Sequence, residues 1–161
     1  MADTDTIDKP KDKTEADSAN PENKTPGEID PRSLTRAPDD KQFQIAPCLT
    51  DEQIERLIPY GTGDKADTEE VIIHEGQRNV DFLVILSGRL EARHSNVDGT
   101  FTSLASHGRG GIIGEMVTMT GQASLVFVSA LEPSNFMRIS PDNLRKLLVE
   151  DSEISDIVLF T

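Results

Sequence analysis

Cysteine is almost missing: a single residue, Cys48, in 161 leaves no partner for an internal disulfide and nothing from which to build a cysteine zinc cluster. Its expected place is that of a small, half-buried hydrophobe. Positive charge is also scarce. Sixteen Lys and Arg face 29 Asp and Glu, a net charge of −13 that repels phosphodiester backbones and anionic membranes and argues against stand-alone nucleic-acid binding. No stretch approaches the ~18 apolar residues of a membrane helix. Met1 is followed by acidic, polar residues where a secretory leader needs a basic start and an apolar core, so the expected location is cytoplasmic. The three histidines, His74, His94 and His107, are scattered and never paired as His-x-His, which argues against a cupin-like metalloenzyme. Gly108, Gly110 and Gly114 do not make a dinucleotide loop, because Ile113 holds the place of the required glycine and no βαβ pattern surrounds it.

Apolar residues make up only 35% of the chain, and they are unevenly spread. Residues 1–43 are rich in Asp, Lys, Thr, Glu and Pro and hold four of the thirteen net negative charges. Such a segment buries too little surface to offset chain entropy, so it reads as a disordered acidic tail ahead of a single domain over 44–161.

Within that domain the hydrophobic period changes twice. Thr50 with Gln53 three residues on forms a capping box, and Ile54, Leu57 and Ile58 make one apolar face, so a short helix begins there and stops at Pro59 and Gly61. Strands are expected over Val71–His74, over Val80–Leu86, and from Arg89 onward, where Leu90 and Ala92 alternate with charged residues. Asp98-Gly99 marks a hairpin, and further strands run over Leu125–Leu131 and Asn135–Ile139. Many short strands punctuated by glycine imply a mainly β barrel or jelly roll. Helical spacing then returns. Ser140 caps, Pro141 starts, and Leu144, Leu147 and Leu148 form a stripe; after Asp151-Ser152 a second stripe follows at Ile154, Ile157 and Val158. Both stripes have the spacing of packing surfaces.

Helix, roll and closing helices, with "EGQ" after the first strand, "LSGRLE" at a strand turn and "GEMVTMTGQ" late in the roll, resemble the cyclic nucleotide-binding domain family over about residues 46–161. The resemblance implies an eight-stranded β-roll with a short N-terminal helix and C-terminal helices. It also implies a phosphate-binding cassette opening at Gly114, in which the N–H groups around Gly114, Glu115 and Met116 make an anion site. Glu115 would accept a hydrogen bond from a ribose hydroxyl, or simply fix the loop through backbone N–H groups. The family then places an arginine on the cyclic phosphate and a small residue after it, and in this sequence those positions hold Ser124 and Leu125.

The glycines and backbone turns of the cassette are therefore kept while its cation is gone. Losing one partner of a desolvated charge pair costs ~2–5 kcal/mol, or roughly thirtyfold to several thousandfold in affinity. Arg109, in the loop entering the cassette, is the best substitute; Arg93 and Arg138 lie on strands. With it the chain would be a working cAMP or cGMP module, and without it a regulatory or sensor domain with weak or no cyclic-nucleotide binding. Three segments, "LTDEQIERLIPYG", "GEMVTMTGQ" and "SPDNLRKLLVEDSEISDIVL", further resemble the N-terminal domain fused to thioredoxin-reductase-like flavin oxidoreductases. That likeness implies an FAD/NADPH oxidoreductase as fused or partner domain. No catalytic residue, metal or cofactor is assigned to this chain.

Overall fold

The computed structural model describes residues 48–160; the tail expected over 1–43, and residues 44–47 of the expected domain, lie outside them. Eight strands and four helices follow in the order α1 (Asp51–Leu57), β1 (Gly61–Ala66), β2 (Val71–Ile73), β3 (Phe82–Ser87), β4 (Leu90–Ser95), β5 (Phe101–His107), β6 (Ile112–Ile113), α2 (Glu115–Thr120), β7 (Phe127–Ala130), β8 (Ser134–Ile139), α3 (Pro141–Glu150) and α4 (Ser152–Leu159). A 3₁₀ turn over Ile58–Tyr60 ends α1 at Pro59. The strands form two four-stranded antiparallel sheets, ordered β1-β8-β3-β6 and β2-β7-β4-β5. This is the mainly β roll that the strand pattern implied. No helix among the described residues is long and apolar enough to cross a membrane.

Strand β3 of the first sheet is buried on both faces, which explains why it reads as an unbroken apolar run, Phe-Leu-Val-Ile-Leu. Phe82, Val84 and Leu86 of β3 join Met137 and Ile139 of β8 in a core shared with Leu57, Leu144, Leu147, Ile154 and Val158 from the helices. Leu83, Ile85 and Phe136 point the other way, into a second core against Ile73, Leu90 and Val128 of the other sheet. Both C-terminal stripes are thus packing surface: Leu148 and Ile157 lie half-buried against the helical core that the other four complete.

The helix ends form as their cap residues dictate. Gln53 N–H donates to Thr50 Oγ1 at 3.2 Å while Thr50 N–H donates to Gln53 Oε1 at 2.8 Å. Ser140 and Asp151 accept from Asn143 N–H and Ile154 N–H to start α3 and α4. Helix α4 is then tied to α1, because Gln53 Nε2 donates to Glu153 at 2.6 Å and Arg56 reaches the same carboxylate at 2.8 Å. Cys48 is exposed rather than half-buried. Its neighbour Leu49 takes the buried position, held by Leu49 N–H to the Gly110 carbonyl.

Candidate functional site

Between β6 and β7 the chain makes the six-residue helix α2 between two left-handed glycines, Gly114 (φ +89°) and Gly121 (φ +69°). A Cβ at Gly114 would lie 3.0 Å from the Asp81 carbonyl oxygen, so backbone packing requires the missing side chain as much as the dihedral does. One turn on, the buried Thr118 hydroxyl has two carbonyls within reach, Gly114 at 2.7 Å and Val80 at 2.9 Å, for its single proton. Those contacts fix α2 against the segment entering β3.

Beneath α2 lies a cavity of about 330 Å³, near the lower end of the ~300–1,000 Å³ typical of small-molecule sites. Its walls are the inward-facing residues of β2, β4 and β7, represented by Ile73, Ala92 and Val128, with Val80, Ile113 and Val126 beside them. Five of the six residues singled out in the sequence border it: Gly114, Glu115, Met116, Ser124 and Leu125. Met116 and Leu125 are exposed at its rim, whereas Ser124 is 3% exposed. No lysine or arginine borders the cavity among the described residues.

Arg109 is placed elsewhere. Its Nη1 donates to the Leu86 carbonyl at 2.5 Å, and Nε and Nη2 donate to Asp51 at 3.1 and 3.0 Å, so the guanidinium ties β3 to α1. Leu86 is the residue skipped where the β3–β8 register shifts, which turns its carbonyl out of the ladder and makes it an acceptor for this side chain. The other strand cations are engaged too. Arg93 donates to Ser129 at 2.8 Å and lies over the Phe101 ring, and Arg138 pairs with Asp64 at 2.7 Å. Arg78, which the sequence reading passed over, is exposed on the β2–β3 turn, next to Gln77, whose carbonyl accepts from Ser124 N–H at 2.8 Å.

The hydroxyl of Ser124, the residue that the resemblance sets at the arginine position, is satisfied locally. It donates to the Val126 carbonyl at 2.8 Å and accepts from Val126 N–H at 3.3 Å, a tight turn that leads the chain into β7. The Glu115 carboxylate makes no hydrogen bond or ion pair with a described residue, although it borders the cavity beside His107. Burial holds the His107 imidazole below its ordinary value near 6.5, against the opposing pull of Glu115. His107 is therefore neutral at neutral pH and supplies no cation. His74 packs on the edge of Phe127, and His94 Nδ1 lies 3.3 Å from the Leu125 carbonyl, so the three histidines do not converge.

A roll of two four-stranded sheets, a short helix entered through Gly114-Glu115 and closing helices behind the first sheet is matched by the sequence profile of the cyclic nucleotide-binding domain over residues 65–151, more than half the chain. The chain belongs to the cyclic nucleotide-binding domain family. Solved structures agree on the fold. A transcriptional regulator from Thermotoga maritima superimposes with a TM-score of 0.60 at 23% identity, over 66% of this chain and 83% of that one. A cyclic nucleotide-binding domain from Methylobacillus flagellatus gives 0.57 at 24%, over 73% and 66%. The regulatory subunit of a cAMP-independent protein kinase A from Trypanosoma cruzi, bound to guanosine, gives 0.54 at 20%, over 62% and 35%. No curated protein matches the chain.

In this cyclic nucleotide-binding domain the alternation of Leu90 and Ala92 with charged residues was open to sequence reasoning, and Ala92 is one of the cavity's walls. The outward use of Arg109 was not. It depends on which strand end lies beside α1.

Proposed function

We propose that this chain is a non-catalytic regulatory module of the cyclic nucleotide-binding type whose cassette has lost its phosphate partner. It acts in the cytoplasm on a fused or partner oxidoreductase, and cyclic nucleotides bind it weakly or not at all. The observation that carries the reading is the lining of the cavity: aliphatic walls, one carboxylate, and Ser124 where the family's arginine would stand, its hydroxyl already spent on Val126. An anionic diester entering this space would shed water without gaining a counter-charge. The fold itself supports a regulatory role, because ligand-side and helix-side cores share the first sheet, and a change in one is felt through the same strands by the other.

Calorimetric titration with cAMP and cGMP tests this, with a Ser124→Arg variant alongside. Starting from a micromolar family site and removing the arginine contribution gives a dissociation constant no tighter than about 30 µM for the parent. The variant should bind more tightly. Micromolar binding by the parent refutes the proposal.

A further inference from the structure

If the cavity of this regulatory module cannot stabilise a phosphate, its chemistry still defines what it can hold. The aliphatic walls of Ile73, Val80, Val126 and Val128 offer apolar surface for an apolar or heteroaromatic body. Glu115 offers two acceptor oxygens with no donor from any described residue, so a ligand that brings hydroxyl or N–H donors completes hydrogen bonds the protein leaves open. An anion is disfavoured twice, by that carboxylate and by a chain carrying a net charge of −13. A full cation is disfavoured by the walls, which give no second partner to offset its desolvation. What remains is an uncharged molecule with an aromatic body at one end and hydroxyls at the other.

We propose that this cavity binds an uncharged nucleoside in preference to the corresponding cyclic phosphate, the sugar hydroxyls donating to Glu115 and the base lying against the aliphatic walls. The proposal rests on the reading of the cavity as the module's ligand site.

The test is calorimetry on the full chain with adenosine and guanosine, each beside its 3′,5′-cyclic phosphate and its 2′,3′-dideoxy form. At least one nucleoside should bind tenfold or more tightly than its cyclic phosphate, and the dideoxy form should bind at least tenfold more weakly than the nucleoside. Glu115→Gln should reproduce the dideoxy loss, and the ligand-side comparison stands even where the variant folds poorly. Arg78→Ala should leave nucleoside affinity unchanged. A cyclic phosphate that binds as tightly as its nucleoside, or more so, overturns this inference, and one that binds at micromolar concentration overturns the proposed function as well. Nucleosides and cyclic phosphates all failing to bind overturns the inference alone. Nucleoside binding indifferent to the sugar hydroxyls and to Glu115 also overturns it.

Discussion

Replacing Arg109 by leucine separates the cation's two conceivable roles. In the structure the guanidinium serves the Leu86 carbonyl and Asp51 and does not border the cavity. Leu86 is 1% exposed, so its carbonyl would lose a charged donor with no water at hand, a loss of about 1.5–3 kcal/mol. Asp51 is more than half exposed, and its share of the pair is worth only ~0–1 kcal/mol after solvent screening. A total near 2 kcal/mol lowers the melting temperature of a domain of this size by about 8 °C. Arg109→Lys keeps the charge but not the fork, and should recover about half of that. The assay is thermal unfolding followed by circular dichroism, paired with the titrations above. Both variants should match the parent's ligand profile. A leucine variant that melts with the parent but loses ligand binding would show the reasoning to be wrong, because the side chain would then belong to the cavity.

Two further outcomes follow from the site. Gly114→Ala should cost about 1–3 kcal/mol, from a left-handed backbone and a Cβ pressed against Asp81, read as a lower urea midpoint; an unchanged midpoint would mean that α2 can be entered another way. His107, held below its ordinary value by burial, binds fewer protons folded than unfolded. Stability it contributes is therefore complete above about pH 6.5 and is lost as pH falls toward the folded value. Melting temperatures at pH 7.5 and 5.5 should show that decline in the parent and a shallower one in His107→Gln, and parallel declines would remove His107 as the cause.

Most of the roll is legible where side chains alone decide structure. Strands β3, β7 and β8 announce themselves through β-branched and aromatic residues, and the capping box of α1 and the Ser140 cap and Pro141 of α3 set where those helices start. What escaped is set by partners distant in sequence. Strand β1, Gly-Thr-Gly-Asp-Lys-Ala, has little intrinsic tendency to extend, yet it pairs with β8 from Gly61↔Ile139 to Ala66↔Ser134. Ile112-Ile113 is too short to show a period, and α2 lacks one because both its ends are set by glycine and its middle by the Thr118 contact. At the site, the glycines that bound α2 were readable, since they depend on spacing along one segment. The commitment of Arg109 was not, because it required knowing that a register shift exposes the Leu86 carbonyl beside α1.

Parity along β3 has a consequence for how such a protein can change. Even-numbered positions there answer to the helices and odd-numbered ones to the core between the sheets, so the two tasks occupy alternating letters of one short word. A lineage can repack the inter-sheet core by editing Leu83 or Ile85 while Phe82, Val84 and Leu86 keep the helical core intact. Deleting a single letter from that word would swap every assignment at once.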